Sequence, residues 1–200
     1  MARLADPELA ERRRRQILEA AEACFIRRGF HQATMQEICA EANISPGALY
    51  RYFNSKADII AAIAEDSRRE SEARLEAVLD SGGLIDALTF MSQRFFGFVT
   101  EAEGAALMGD VIAEAARDPL LAQRLRAIDD GSVRRLSAAI AAAQRRGEVD
   151  PAIHPAQAAE TVFALMEGIA MRYSVRRDAG AAGLIARFRD AAARYLGAAP

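Results

Sequence analysis

The segment from Thr34 to Lys56, TMQEICAEANISPGALYRYFNSK, constrains the fold more than any other part of the chain. Thr34 is followed three residues later by Glu37, which is the spacing of a capping box at the start of a helix. Ser45 and Pro46 give a second start signal, because a hydroxyl residue suits the N-cap and proline suits the first helical position. The segment therefore predicts two short helices joined by a tight turn.

The spacing of apolar residues predicts which side of the second helix faces the protein. Leu49 and Phe53 are four residues apart, so they lie on one side of the helix and are expected to pack inward. The outer side is then left to Pro46, Gly47, Tyr50 and Arg51. A helix, a short turn and a second helix form the geometry that places the second helix in the major groove of DNA.

These outer residues have both a functional and a structural interpretation. The planar guanidinium of Arg51 suits guanine O6 and N7, and Tyr50 offers its ring to a thymine methyl or its hydroxyl to a phosphate. Alternatively, Tyr50 and Tyr52 are half-buried packing residues and Lys56 is a surface charge. Each residue taken singly favours the structural interpretation, whereas the whole set in this order favours DNA binding.

Composition favours an all-α protein without a membrane span. Apolar residues make up 52% of the chain and charged residues 27%, which is ordinary for a globular protein. There is no run of about 18 apolar residues, and the N-terminus lacks the apolar core of a secretory signal. Cys24 and Cys39 have no metal-site spacing, so we interpret them as reduced core thiols. We therefore expect a cytoplasmic protein.

Helical periodicity continues through the rest of the chain and predicts about nine helices in all. The first is expected to begin near Arg12, after an arm formed by residues 1–11. A fourth helix over residues 56–80 connects an N-terminal domain at residues 1–56 to a helical domain at residues 57–200. The helices predicted after it cover residues 84–101, 105–117, 119–146, 155–176 and 182–196.

The runs Thr34–Ile38 and Ser45–Lys56 resemble the DNA-binding domain of the TetR family of bacterial transcriptional regulators, and Gly29-Phe30 before them also fits. The resemblance extends over roughly residues 12–62. It implies an N-terminal three-helix helix-turn-helix domain and a C-terminal helical domain for ligand binding and dimerisation. The DNA-binding residues that it implies are Thr34, Ser45, Pro46, Gly47, Ala48, Tyr50, Arg51, Tyr52 and Lys56, of which Thr34, Tyr52 and Lys56 match positions that contact phosphates.

Large apolar residues in the second half of the chain suggest a binding cavity. Four of the nine phenylalanines lie between Phe90 and Phe98, and they cannot all face one side of a helix. This helix therefore contacts several neighbours or lines an apolar pocket. The alternative is plain core packing, since Met and Phe commonly fill irregular cores. The pocket interpretation assigns the ligand-binding walls to Met91, Phe95, Phe98, Met108, Phe163 and Met166.

The last two predicted helices are too apolar for one chain to cover. Gly168 lies in the middle of residues 155–176, where glycine costs about 1 kcal/mol relative to alanine, and a small residue there allows another helix to approach closely. We therefore expect these helices to form a four-helix bundle in a homodimer, as they do in the family. The residues assigned to dimerisation are Val162, Leu165, Gly168, Ile169, Phe188, Ala192 and Tyr195.

The resulting hypothesis is a ligand-responsive transcriptional regulator, a repressor that binds a pseudo-palindromic operator as a homodimer. A small apolar or amphipathic effector releases it. The rival hypotheses are an enzyme and a helical interaction module that does not bind DNA. His31 and His154 both lie in predicted turns, and the chain has no nucleotide-binding or nucleophile motif. We therefore expect no enzymatic activity, no cofactor and no metal.

Overall fold

The computed structural model describes residues 7–79, 82–101 and 103–198, and these residues form nine α-helices and no strand. The predicted all-α fold is therefore confirmed. In chain order, the helices are α1 (Pro7–Arg28), α2 (Met35–Glu41), α3 (Pro46–Leu49), α4 (Lys56–Leu79), α5 (Leu84–Thr100), α6 (Gly104–Ala115), α7 (Pro119–Arg145), α8 (Pro155–Arg176) and α9 (Ala181–Tyr195). None of these helices, over the residues described, combines the length and the apolar character that crossing a membrane requires.

The described residues divide into two compact units, and the division differs from the predicted boundary at residue 56. The N-terminal unit combines the chain up to Asp66 with Ala106–Leu125, and the C-terminal unit combines Ser67–Ala105 with the chain from Arg126 onwards. The start of α4 belongs to the first unit because Ile59 and Ile60 are buried. Most of α6 and the first turns of α7 also belong to it.

In the N-terminal unit, α1, α2, α3 and the start of α4 form the core. The Phe25 and Phe30 rings lie 5.1 Å apart in it. Full burial of a side chain such as Phe25 contributes roughly 1.5–3 kcal/mol. Cys24 and Cys39 are free thiols and are buried, as predicted. The core residues with no exposed surface include Ile17, Ala21, Phe25, Ile38, Leu49 and Ile59.

The core of the C-terminal unit lies where α5 packs against α8 and α9. The Phe96 ring of α5 meets the Phe188 ring of α9 edge to face, with 6.1 Å between their centres. Leu88, Val162 and Ala192 are buried in the same core. Packing within the C-terminal unit therefore buries much of the apolar surface of α8 and α9.

The helix boundaries follow the predicted signals closely, with one correction. α1 already begins at Pro7, so the predicted arm over residues 1–11 is wrong for residues 7–11, and residues 1–6 lie outside the described chain. Proline in the first turn followed by Glu8 suits a helix N-terminus. α4 ends at Leu79, and its predicted last residue, Asp80, is not described. Asp118 caps α7, because its Oδ1 accepts the Leu120 N–H at 2.9 Å.

Candidate nucleic-acid interface

A complete capping box begins α2. The Thr34 hydroxyl oxygen accepts the Glu37 N–H at 3.2 Å, and Glu37 Oε2 accepts the Thr34 N–H at 2.9 Å. The Thr34 hydroxyl also donates to Glu37 Oε2 at 3.1 Å. The hydroxyl therefore takes part in the cap, and the phosphate contact that the resemblance implied for Thr34 stays a prediction.

Acid is expected to destabilise the N-terminal unit by a small amount through Glu37, because solvent screens the contacts of this exposed carboxylate. The Arg28 guanidinium, then the N–H and hydroxyl of Thr34, lower the pKa of Glu37 from its usual 4.5 to about 2. Because the folded-state pKa is the lower one, this stabilisation is complete above about pH 4.5 and is lost as the pH falls towards 2. Thermal unfolding of Glu37→Gln should therefore depend less on pH over this range than that of the wild type, whereas Glu19→Gln should follow the wild type. Parallel profiles for Glu37→Gln and wild type would contradict this role.

The turn and α3 have the predicted conformation. Asn43 adopts the left-handed conformation with φ 49°. Ser45 caps α3 by accepting the Ala48 N–H at 3.3 Å, and Pro46 occupies the first turn. Leu49 is fully buried, and Phe53 is nearly so. These two anchors hold one side of α3 and the turn after it against the rest of the unit.

The opposite side of α3 is open to solvent. Ser45, Pro46, Gly47 and Arg51 are exposed, and the Tyr50 side chain is 51% exposed. Among the residues that the structure describes, the Tyr50 and Arg51 side chains make no hydrogen bond or ion pair. Two side chains that combine a large surface with hydrogen-bonding groups are therefore available to a partner. The remaining predicted contacts, Ala48 and Tyr52, are half-buried.

The carboxylates of α2 are neutralised by arginines at the end of α1. Arg28 pairs with Glu37 at 2.5 Å, and Arg27 pairs with Glu41 at 2.7 Å. Exposed pairs of this kind add little stability. Their effect on the local potential is larger, because they reduce the negative charge that the helix-turn-helix would otherwise bring towards phosphates.

Lys56 is engaged within the chain. Its Nζ donates to the carbonyls of Phe30 at 2.6 Å and His31 at 3.0 Å, and it lies 5.0 Å from the centre of the Phe30 ring. Burial lowers the pKa of Lys56, and the charges of Glu114 and Glu37 oppose that shift. Two of the three ammonium hydrogens thus hold the turn before α2, which leaves at most one for the predicted phosphate contact.

The predicted ligand-binding residues are divided between the two units. Met108 lies in the N-terminal unit, and the other five lie in the C-terminal unit. There, Met166 is buried, and the half-buried residues are Met91, Phe95, Phe98 and Phe163. The Phe95 ring contacts the buried Phe96 ring, with 5.4 Å between their centres.

Three of the predicted dimerisation residues belong to the core of one chain. Val162, Phe188 and Ala192 have no exposed surface, so they cannot meet a partner subunit, and their assignment to the interface is wrong. The helical pattern misled here because it does not distinguish a face covered by the same chain from a face covered by another. Leu165 and Ile169 are half-buried, and Gly168 and Tyr195 are exposed.

Comparison with protein families matches both parts of the chain. The family described as "Bacterial regulatory proteins, tetR family" matches residues 17–63. The family described as "Tetracyclin repressor-like, C-terminal domain" matches residues 78–192, which is more than half of the chain. The chain belongs to the TetR family. It is a ligand-responsive, DNA-binding transcriptional regulator.

Individual TetR-family relatives support this assignment along most of the chain. The HTH-type transcriptional regulator UidR of Escherichia coli K12 is 31% identical over 161 residues, which cover 80% of this chain and 81% of UidR. The regulator TtgR of Pseudomonas putida is 30% identical over 180 residues, covering 86% of this chain and 84% of TtgR. The structure of Salmonella enterica GusR, at 28% identity, has a TM-score of 0.75 and covers 92% of this chain and 95% of GusR.

Sequence reasoning missed two exposed apolar residues on α8 of this TetR-family chain. The Met171 side chain is 59% exposed and that of Val175 is 84% exposed. They follow Gly168 at i+3 and i+7, so the three residues share one side of the helix. This spacing is visible in the sequence, but α8 is apolar on nearly every side, so the pattern alone did not distinguish this side.

Proposed function

We propose that the chain is a homodimeric repressor that binds a pseudo-palindromic operator and is released by a small effector. The observation that carries this proposal is the exposed side of α3, where Tyr50 and Arg51 face solvent while Leu49 and Phe53 are buried. A DNA-binding regulator acts where the chromosome is, so we place the protein in the cytoplasm. The relatives named above are regulators, and we propose no catalytic role.

The exposed side of α3 has the chemistry of a base-reading surface. Arg51 has the planar donor pair that matches guanine O6 and N7, a contact worth about 1–3 kcal/mol of discrimination. Tyr50 offers an apolar ring to a thymine methyl and a hydroxyl to a phosphate. Pro46 and Gly47 have no long side chain, which lets the start of α3 approach DNA closely. Ser45, Ala48 and Tyr52 flank this surface, and we expect Ala48 to meet base edges and Tyr52 to contact phosphate.

Dimerisation would use the exposed side of α8 together with α9. Gly168, Met171 and Val175 line one side of α8, and the Tyr195 side chain of α9 is 39% exposed. Half-buried Leu165 and Ile169 lie on the same helix. Large apolar side chains exposed in this way are more stable when a second copy covers them. A two-fold axis would then place two α3 helices about 34 Å apart, one turn of DNA.

The effector would bind in the C-terminal unit. Its partly buried Met and Phe side chains, namely Met91, Phe95, Phe98, Phe163 and Met166, suit an apolar or amphipathic molecule. Met108 belongs to the other unit, so we leave it out of the proposed pocket. Release requires the effector to bind the DNA-free conformation better than the DNA-bound one, since equal affinity shifts no population.

Arg51→Ala tests the DNA-binding surface directly. We expect it to weaken binding to a duplex selected by the wild type by roughly 1–3 kcal/mol and to relax preference at one base pair of each half-site. Arg145→Ala removes the same charge from an exposed position at the end of α7 and should leave this preference unchanged. Fluorescence anisotropy with single-base variants of the duplex measures both effects. An unchanged base preference in Arg51→Ala would contradict the assignment of this surface.

A further inference from the structure

The helix-turn-helix of the N-terminal unit is held at both ends by carboxylates. Just before it, the Phe30 N–H donates to Asp110 Oδ2 of α6 at 3.0 Å. Just after it, the Asn54 N–H donates to Asp58 Oδ2 of α4 at 2.9 Å. Both N–H groups lie outside the helices, where a backbone donor depends on a side chain or water for its hydrogen bond.

The first anchor fixes the turn between α1 and α2. Gly29 has φ +78°, a left-handed conformation that favours glycine, and a Cβ there would lie 3.0 Å from Asp110 Oδ2. On the other side of the same turn, Lys56 Nζ donates hydrogen bonds to the carbonyl oxygens of Phe30 and His31. The peptide after Phe30 is thus held by α4, and the peptide before it is held by α6.

One turn further along α6, a second carboxylate faces the same segment. Glu114 Oε2 lies 3.3 Å from the Nδ1 of His31, whose side chain is 71% exposed. This contact is at the surface, so we expect it to contribute less than Asp110 does. Two residues of α6, Asp110 and Glu114, therefore contact the turn.

The second anchor fixes the exit from the helix-turn-helix. Asp58 accepts the Asn54 N–H through Oδ2, and its Oδ1 pairs with Arg124 of α7. Burial raises the pKa of Asp58, but the hydrogen bonds from Arg124 and Asn54 outweigh it and hold this pKa below its usual value. Removing Arg124 would leave the largely buried Asp58 carboxylate without its counter-ion. We expect this to weaken the hydrogen bond between Asp58 and the Asn54 N–H.

We propose that Asp110 and Arg124 are positioning residues for DNA recognition, acting through Phe30 and Asp58 at the two ends of the helix-turn-helix. The segment Ala106–Leu125, far from the family match at residues 17–63, is then part of the DNA-reading unit. The inference rests on the proposed DNA-binding function. Removing the negative charge of Asp110 should weaken DNA binding. Simple electrostatics would give the opposite result, because losing a negative charge strengthens binding to phosphates.

The test compares Asp110→Ala and Arg124→Ala with two matched controls in the full chain. Asp130→Ala and Arg126→Ala make the same changes of charge at exposed positions of α7. The probes are a duplex selected by the wild type from a random pool and a scrambled duplex of the same composition. Both test variants should bind the selected duplex about tenfold more weakly, because fewer molecules have a correctly placed α3. Binding to the scrambled duplex should change less than about twofold, since non-specific binding depends mainly on phosphate contacts.

Rescue distinguishes positioning from a simple loss of charge. Asp110→Asn removes the charge but keeps an acceptor oxygen for the Phe30 N–H, so it should recover most of the wild-type affinity for the selected duplex. Affinities of both test variants within about twofold of their controls would overturn the inference, and so would equal losses on the selected and scrambled duplexes. If the circular dichroism spectrum of Asp110→Ala differs from that of the wild type, the variant is misfolded. The affinity of Arg124→Ala then tests the inference. Failure of the wild type to bind any duplex would instead overturn the proposed function.

Discussion

Gly168→Leu is expected to convert the proposed dimer into a monomer and to weaken operator binding by about 10²–10⁴-fold. Glycine in the interior of α8 costs about 1 kcal/mol relative to alanine. Among the described residues, no packing contact requires glycine at this position, because a Cβ at Gly168 would meet no atom within 4 Å. A partner helix that approaches closely at this point would explain why the position is a glycine. A leucine would hold that helix away while fitting freely into the isolated chain.

Sedimentation equilibrium measures the conversion of dimer to monomer. Binding to a duplex with two half-sites measures the resulting loss of operator affinity. Gly168→Ala should raise the thermal stability of the monomeric fold and loosen the dimer only partly. Gly109→Leu provides the control for dimerisation, since Gly109 is also an exposed helical glycine and a Cβ there would meet no described atom within 4 Å. It should remain dimeric. A dimer of wild-type strength in Gly168→Leu would remove this side of α8 from the interface.

Gly47→Leu is expected to weaken operator binding by on the order of 100-fold while leaving the fold intact, because several contacts worth about 1–3 kcal/mol each would be lost together. Gly47 is exposed, and a Cβ there would meet no atom of the described part of the chain within 4 Å. The free protein therefore has room for the leucine. The bound state does not, if the start of α3 lies against DNA as proposed.

A graded pair of variants separates this effect from instability. Gly47→Ala should stabilise the protein by roughly 0.5–1 kcal/mol, because alanine restricts the unfolded chain and suits a helix, yet it should bind the operator more weakly than the wild type. Thermal unfolding and fluorescence anisotropy measured on the same samples check both expectations. Wild-type affinity in Gly47→Leu would mean that DNA does not approach the start of α3.

Local signals were readable from the sequence because each depends on a few neighbouring residues. The Thr34–Glu37 box and the Ser45 cap were predicted and are confirmed by their hydrogen bonds. Asn43 has a left-handed conformation, which asparagine adopts more readily than most other residues with a side chain. The burial of Leu49 follows from the spacing of two apolar residues and leaves the opposite side of α3 exposed.

Contacts between distant segments were not readable in the same way. Lys56 was assigned to phosphate, but its ammonium group lies against the carbonyls of Phe30 and His31, which come 26 and 25 positions earlier in the sequence. The role of Asp110 requires α6 to reach a turn that lies 80 positions earlier in the sequence. Phe188 was assigned to the dimer because helical periodicity identifies an apolar side without identifying what covers it.

The most direct test of paired α3 helices reading DNA is selection of duplexes from a random-sequence pool by the wild-type protein, followed by sequencing. We expect enrichment of a pseudo-palindrome whose two half-sites are about one helical turn apart, roughly 10 base pairs from centre to centre. Enrichment of a single unpaired half-site would contradict the dimer. Absence of any enriched sequence, in protein that is folded by circular dichroism, would contradict base reading by Tyr50 and Arg51.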